Sequence, residues 1–373
     1  MKSLNNRQVV SLIKAVGQQR TVLVEGESGI GKTSIHYALA QEPAFMHYHA
    51  PKPIDCTQLS DGALWMPDID RSRGVSRELP NERFGVNEEN HGGIAGSRPV
   101  LLAFDEIAKA RQYVKDMVAP VINERRLGNH ALPAGSIVMC FTNLSDEGLG
   151  DTMLAHLRNR LVIVRMRKPT KDEWVGEFAI PRNIHETVIS AVEMYPLVFD
   201  SFLDYRTGGK NAGRSMAKDN PYIHNPGQMG DEQFVTPRSL HIASDVINGM
   251  DKMDTTTLEC ALEGAVGRPF AMNVMNMVRF GQQVPSFEHV VQDPAGCPLP
   301  DNPSAQIVQV FQFIKQVQNT DHANAACEYV LRMKGEMQAL FTLRIADSTR
   351  IEKFALSPVF ATMMAKNRAL MAQ

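Results

Sequence analysis

The stretch Thr21-Val-Leu-Val-Glu25, followed directly by Gly26-Glu-Ser-Gly-Ile-Gly-Lys-Thr33, indicates the fold of this chain. The first part is a short β-branched run, which predicts a buried strand. The second part fits the pattern G-x-x-x-x-G-K-[ST], and residues 32–41 read as a helix. A strand, a glycine-rich turn and a helix in this order predict a phosphate-binding loop.

Each residue type in this loop has a chemical reason. Glycines let backbone N–H groups wrap around phosphate oxygens, and the helix N-terminus adds positive potential. We expect Lys32 to reach the β- and γ-phosphates of a nucleotide and the Thr33 hydroxyl to bind Mg²⁺. The residues predicted to hold the nucleotide are Gly26, Glu27, Ser28, Gly29, Ile30, Gly31, Lys32, Thr33 and Ser34.

An acidic pair follows a second apolar run. Residues 100–104 are fully apolar and predict a buried strand, and Asp105 and Glu106 come directly after it. We expect Asp105 to hold Mg²⁺ and Glu106 to polarise the attacking water as a general base. Because small GTPases position this water with a Gln located elsewhere, the Asp-Glu pair favours an ATPase of the motor or remodelling type.

Four further polar positions extend the pattern. Asn143 follows the predicted strand at 136–142, where its amide would orient the attacking water. Arg160, and as second choice Arg158, precede another predicted strand and would stabilise phosphoryl charge from a neighbouring subunit. Arg238, in Val235-Thr-Pro-Arg238, would project from the first turn of a helix and contact nucleotide.

Strands and helices alternate along the first part of the chain. A helical pattern covers residues 106–126, with Pro120 expected to bend or split it. Alternation of this kind predicts an α/β fold with a parallel sheet and helices on both faces. The five predicted strands are residues 21–25, 45–49, 100–104, 136–142 and 161–165.

After Lys168 the sequence becomes helical, at 170–204, 236–283 and from 304 to the end. Residues 205–233 are rich in Gly, Asn, Pro and charge and predict a long polar loop, and residues 284–303 predict a proline-rich connector. We therefore expect a nucleotide-binding core at 1–167, a helical lid at 168–283 with the inserted loop 205–233, and a helical extension at 284–373.

Composition excludes several classes of protein. The 373 residues carry a formal net charge of −2, which disfavours a strongly basic nucleic-acid-binding protein. The five cysteines are dispersed without a C-x-x-C pair, which argues against a disulfide framework and a zinc site and fits a reducing cytosol. No apolar run is long enough for a signal peptide or a membrane span.

The order of these elements resembles that of AAA+ ATPases. In that comparison residues 26–33 match Walker A, 101–106 match Walker B, and Asn143 matches sensor 1. Arg158 and Arg160 match the arginine finger, and Arg238 matches sensor 2. Residues 122–136 are similar to the hairpin of the MoxR branch, and residues 261–267 and 297–303 look like the tail of its phage or prophage type.

This resemblance implies a five-stranded core, a helical lid and an added helical segment. It implies Mg²⁺-dependent ATP hydrolysis in a ring, most often a hexamer, in the cytoplasm. It also implies chaperone-like remodelling of a protein client, often with a von Willebrand factor A domain partner and without a membrane.

Two other functions stay open from the residues alone. The first is a nucleic-acid motor or helicase loader. The insertion at residues 57–98 carries five arginines, but interleaved acids there favour a protein client over nucleic acid. The second is an ATP-bound scaffold without catalysis, which the presence of every turnover residue disfavours.

Overall fold

The computed structural model describes residues 2–60, 62–84, 98–128, 130–144, 158–206, 208–226 and 233–371. The chain divides into two compact units, Met1–Lys168 and Pro169–Gln373. In the described ranges, no helix is long and apolar enough to span a membrane.

The first unit is built on a parallel sheet of six strands in the order β1-β10-β2-β9-β6-β3. This arrangement confirms the predicted α/β class. Two antiparallel pairs, β4–β5 and β7–β8, lie outside the main sheet. The strands are β1 (Ser3–Leu4), β2 (Val22–Gly26), β3 (Ile54–Asp55), β4 (Trp65–Asp70), β5 (Val75–Pro80), β6 (Leu101–Asp105), β7 (Arg126–Leu127), β8 (His130–Ala131), β9 (Ile137–Asn143) and β10 (Val162–Met166).

Among the described residues, three helices cover the two faces of this sheet: α1 (Asn6–Val16), α2 (Ser34–Gln41) and α3 (Gln112–Glu124). The apolar residues of α1 and α2 pack with one face of the central strands, and those of α3 pack with the other. Strand β9 is buried at every residue. Both faces of the central strands are therefore buried, which explains why they read as continuous apolar runs in the sequence.

Four of the five predicted strands are confirmed, as β2, β6, β9 and β10. The prediction of a strand at residues 45–49 is wrong, because Pro43–Phe45 forms a 3₁₀ turn and only His49 bridges to Val100. The sheet has six strands rather than five because β1 and β3 are added at its edges. Each is two residues long, too short to leave a periodic pattern.

The helical pattern at residues 106–126 is interrupted, but not at Pro120. That residue lies inside α3, which continues through it. The break comes earlier, where Ala110 and Arg111 are extended and separate the 3₁₀ turn Ile107–Lys109 from α3. The hairpin expected within residues 122–136 is present as β7–β8.

The second unit is helical, and one continuous apolar core runs through it from Trp174 to Met363. The described part of the predicted loop 205–233 contains a short helix, and Asn220 there is buried and donates to Leu197 O. The helices are α4 (Lys171–Trp174), α5 (Glu186–Met194), α6 (Met216–Asp219), α7 (Pro237–Asn248), α8 (Thr255–Val266), α9 (Arg268–Gly281), α10 (Phe287–Gln292), α11 (Pro303–Gln316), α12 (Thr320–Leu331), α13 (Gly335–Ala346), α14 (Ile351–Phe354) and α15 (Pro358–Met371).

Candidate nucleotide-binding site

The loop at residues 26–33 joins β2 to α2, as the sequence predicts. Gly29 and Gly31 have φ of 71° and 93°, a left-handed region that favours glycine. A Cβ atom added at Gly26 would lie 2.7 Å from Ile30 Cδ1 and 2.9 Å from the carbonyl oxygen of Met166. The loop therefore needs all three glycines for its shape.

Lys32 is buried at the centre of this loop. Its ammonium group donates to Gly26 O at 3.0 Å, to Glu27 O at 2.7 Å and to Asn143 Oδ1 at 2.7 Å. These contacts fix a cation inside the loop, beside the end of β9. That position suits a group that binds phosphate oxygens.

Thr33 and Asp105 are brought together from separate parts of the chain. The Thr33 hydroxyl donates to Asp105 Oδ2 at 2.7 Å, and Asp105 Oδ1 accepts from the backbone N–H of Glu106 at 3.0 Å. A hydroxyl and a carboxylate are the oxygen ligands that Mg²⁺ takes, with the rest supplied by water and phosphate. Among the described residues there is no cluster of three or more His, Cys, Asp or Glu that could hold a metal ion.

Glu106 lies next to Asn143 at the same edge of the sheet. Asn143 Nδ2 donates to Glu106 Oε1 at 2.9 Å, and Lys109 Nζ lies 3.1 Å from Glu106 Oε2. Glu106 has φ of 51°, in the left-handed region. Hydrogen bonds therefore connect Lys32, Asn143 and Glu106 in one chain, in which Asn143 touches both the loop cation and the carboxylate.

One residue of the site was not predicted from the sequence. Lys168, two residues after β10, places Nζ 3.1 Å from Oε2 of Glu27, and both side chains are buried. The only sequence signal is Glu27 itself, because a carboxylate buried within a phosphate-binding loop requires a nearby cation.

Burial changes the pKa of two groups near the loop and strand ends. It lowers the pKa of His36, on α2, to about 4, so the imidazole is neutral at pH 7. It raises the pKa of the Cys140 thiol, on β9, to about 12, so this thiol does not serve as a nucleophile.

The three arginines differ in their surroundings. Arg158 Nη1 lies 3.3 Å from Glu25 Oε1 of the same chain. Arg160 is exposed and makes no salt bridge within the part of the chain that the structure describes. Arg238 is exposed in the first turn of α7, which begins in the capping box of Thr236 and Ser239 in the second unit.

No known protein family and no curated protein matches the chain. Solved structures with partial similarity include NtrX from Brucella abortus in complex with ADP, at 14% identity over 98% of this chain and 67% of that chain, with a TM-score of 0.33. Another is a mutant form of RuvB from Thermotoga maritima, at 12% identity over 77% of this chain and 74% of that chain, also with a TM-score of 0.33. TM-scores this low do not show a shared architecture, so a functional assignment depends on the geometry of this chain.

Proposed function

We propose that this chain is a Mg²⁺-dependent ATPase of the AAA+ type. The observation that carries the proposal is the hydrogen-bonded group formed by Lys32, Thr33, Asp105, Glu106 and Asn143 at the carboxyl ends of β2, β6 and β9. These strands are neighbours in the sheet, so their ends bring a cation, a hydroxyl–carboxylate pair and a candidate base to one place.

Each residue of this group would have a separate role in ATP hydrolysis. Lys32 and the loop N–H groups would bind the β- and γ-phosphates, while Thr33 and Asp105 would hold Mg²⁺. Bound Mg²⁺ supplies charge neutralisation on the phosphate oxygens. Glu106 would accept the proton of the attacking water, and Asn143 would orient the Glu106 carboxylate through their hydrogen bond.

Lys32 must exchange partners when phosphate binds. Its ammonium donates to three protein oxygens, and one of them belongs to Asn143. Moving this cation to phosphate releases the Asn143 oxygen while its amide stays on Glu106. Asn143 would therefore keep holding the Glu106 carboxylate after nucleotide binds, with its own oxygen free to accept from the attacking water.

The finer assignment is a MoxR-like ring that remodels a protein client, with a von Willebrand factor A domain protein as candidate partner.

Arg160 is the preferred arginine finger for a neighbouring subunit's nucleotide, because it is exposed and unpaired within the described residues while Arg158 already contacts Glu25. Arg238 would contact nucleotide from a lid at 168–283, and residues 284–373 would form the extension.

The β4–β5 hairpin supports a protein client over a nucleic acid. Met66, Ile69 and Leu79 on its strands are exposed, with 66%, 69% and 54% of their surfaces accessible. Apolar side chains of this kind suit contact with protein, and the arginines of the same hairpin are interleaved with Asp68, Asp70 and Glu78, which lowers its net positive charge.

Steady-state ATP turnover tests the proposal. Glu106→Gln should retain ATP binding but hydrolyse about 10²–10⁴-fold more slowly, because the amide cannot accept the proton. Glu124→Gln, an exposed position on α3, is the matched control and should behave like wild type. Near-normal turnover by Glu106→Gln would show that another residue activates the water.

The same assay separates the alternatives. Turnover stimulated several-fold by single- or double-stranded DNA would support a nucleic-acid motor. Tight ATP binding with no turnover in the wild-type chain would support a scaffold. Lys32→Ala should lose nucleotide binding, because the phosphates lose their principal cation.

A further inference from the structure

Glu27 places a carboxylate inside a loop that is shaped for a polyanion. Its side chain is 8% exposed, so its charge is screened only weakly. Its own carbonyl oxygen accepts from Lys32 Nζ at 2.7 Å. Glu27 therefore belongs to the cage around the loop cation, and its negative charge acts against any phosphate bound there.

Lys168 compensates this charge. Lys168 Nζ lies 3.1 Å from Glu27 Oε2, and Lys168 is also only 6% exposed. A buried ion pair of this kind contributes little net stability compared with apolar residues, but the loss of one partner leaves a costly unpaired charge. The pair thus makes the loop close to neutral at Glu27 and leaves Lys32 as its effective cation.

Strand pairing fixes Lys168 in this place. In the register of β2 and β10, Met166 is opposite Gly26, so the residues just beyond these strand ends come together. Arg167 N–H donates to Leu4 O at 2.9 Å, and Arg167 Nη1 donates to Lys168 O at 3.0 Å. The backbone around Lys168 is held on both sides, so its ammonium group stays beside the loop.

We propose that Lys168 is a positioning residue for nucleoside triphosphate binding, which acts by neutralising Glu27 in the phosphate-binding loop. This inference rests on the proposed function. A purely structural role would weaken nucleotide binding in both single variants. Here the two variants should change the affinity in opposite directions, because removing the lysine leaves a negative charge near the phosphates and removing the carboxylate leaves a positive one.

The test is a fluorescence titration with N-methylanthraniloyl-ATP. Lys168→Met should raise the Kd by at least about tenfold, because one uncompensated charge opposes a multiply charged ligand. Glu27→Gln should lower the Kd by about threefold or more, because Lys168 then adds to the attraction. The double variant should return to within about threefold of wild type. Lys168→Arg, which keeps the charge, should also bind like wild type.

A structural role predicts a different pattern. If both single variants weaken binding, with the double variant weaker still, the inference is overturned. Far-UV circular dichroism melts establish that each variant is folded. If Lys168→Met does not fold, Glu27→Gln decides alone, since weaker binding by that variant contradicts the inference and tighter binding supports it.

The same titration separates this inference from the proposed function. A folded wild-type chain that does not bind the analogue overturns the proposed function and the inference with it. A wild-type chain that binds, with Lys32→Ala unable to bind, upholds the site. The Kd values of Lys168→Met and Glu27→Gln then test the role of Lys168 separately from the proposed function.

Discussion

The pKa of His36, a side chain near the candidate site, is set by its burial. It lies on α2, is 1% exposed, and its Nδ1 has no hydrogen-bond partner among the described residues. Burial disfavours the charged imidazolium, which lowers the pKa from 6.5 to about 4. The folded chain therefore holds a neutral ring where the unfolded chain holds one that protonates near pH 6.5.

Between pH 6.5 and pH 4 the unfolded chain binds more protons at this position than the folded chain. The free energy of unfolding should therefore fall as pH drops through this window, by up to about 3 kcal/mol from His36 alone. Urea denaturation at pH 7.5, 6.0 and 5.0 measures it. His36→Leu, which cannot titrate, should show a shallower decline, and an equal decline in both chains would contradict the assignment.

At the scale of a structural element, the shape of the phosphate-binding loop depends on the backbone conformation of its glycines. Gly31 has φ of 93°, where an alanine is strained. Gly31→Ala should reduce nucleotide affinity and lower the free energy of unfolding by about 1–2 kcal/mol. Equilibrium titration and urea denaturation measure the two effects.

Gly264 provides a matched control. It lies in α8, it is exposed, and no atom beyond its chain neighbours and the backbone of its own helix lies within 4 Å of a Cβ added there. Gly264→Ala should raise the free energy of unfolding by up to about 1 kcal/mol and leave nucleotide affinity unchanged. A gain in stability from both substitutions would show that the loop does not need its left-handed backbone.

Elements differed in how far the sequence predicted them. The central strands could be predicted because helices bury both of their faces, which leaves uninterrupted apolar runs such as residues 137–141. Strands β1 and β3 could not, because two residues carry no periodicity. The strand prediction at residues 45–49 failed because only residues 46–49 alternate in side-chain type, as Met, His, Tyr and His, and Pro43 begins a 3₁₀ turn that includes Phe45.

The residues of the candidate site also differ in how well the sequence predicts them. Lys32, Thr33, Asp105, Glu106 and Asn143 lie in or next to motifs whose spacing is local, so the sequence was enough to bring them together as a prediction. Lys168 matches no motif and meets Glu27 only through the register of β2 and β10. Pairings between distant segments require the sheet topology itself.

At the scale of the whole molecule, an exposed Arg160, unpaired within the described residues, predicts activity that depends on assembly. Arg160→Ala should retain ATP binding and lose turnover by about 10³-fold or more, as expected for a residue that stabilises phosphoryl charge. Specific activity of the wild type should rise with protein concentration as subunits associate. Turnover assays over a range of concentrations measure both.

Mixing two inactive variants sharpens this test. Arg160→Ala subunits keep an intact phosphate-binding loop, and Lys32→Ala subunits keep an intact arginine. Mixed assemblies should regain partial activity, with Arg158→Ala in place of Arg160→Ala as the comparison. Mixed assemblies without any recovery would place Arg160 outside the neighbouring site.

The parallel sheet also has a consequence for how the chain is made. Strand β2 lies between β9 and β10, and its partners in register are more than a hundred residues further along the chain. At ribosomal speeds of about 5–20 residues per second, this apolar strand waits roughly 5–30 s for them. Slow codons between residues 26 and 166 lengthen that exposure, whereas slow codons after residue 166 do not. The yield of soluble protein should therefore depend on translation speed through the first of these segments.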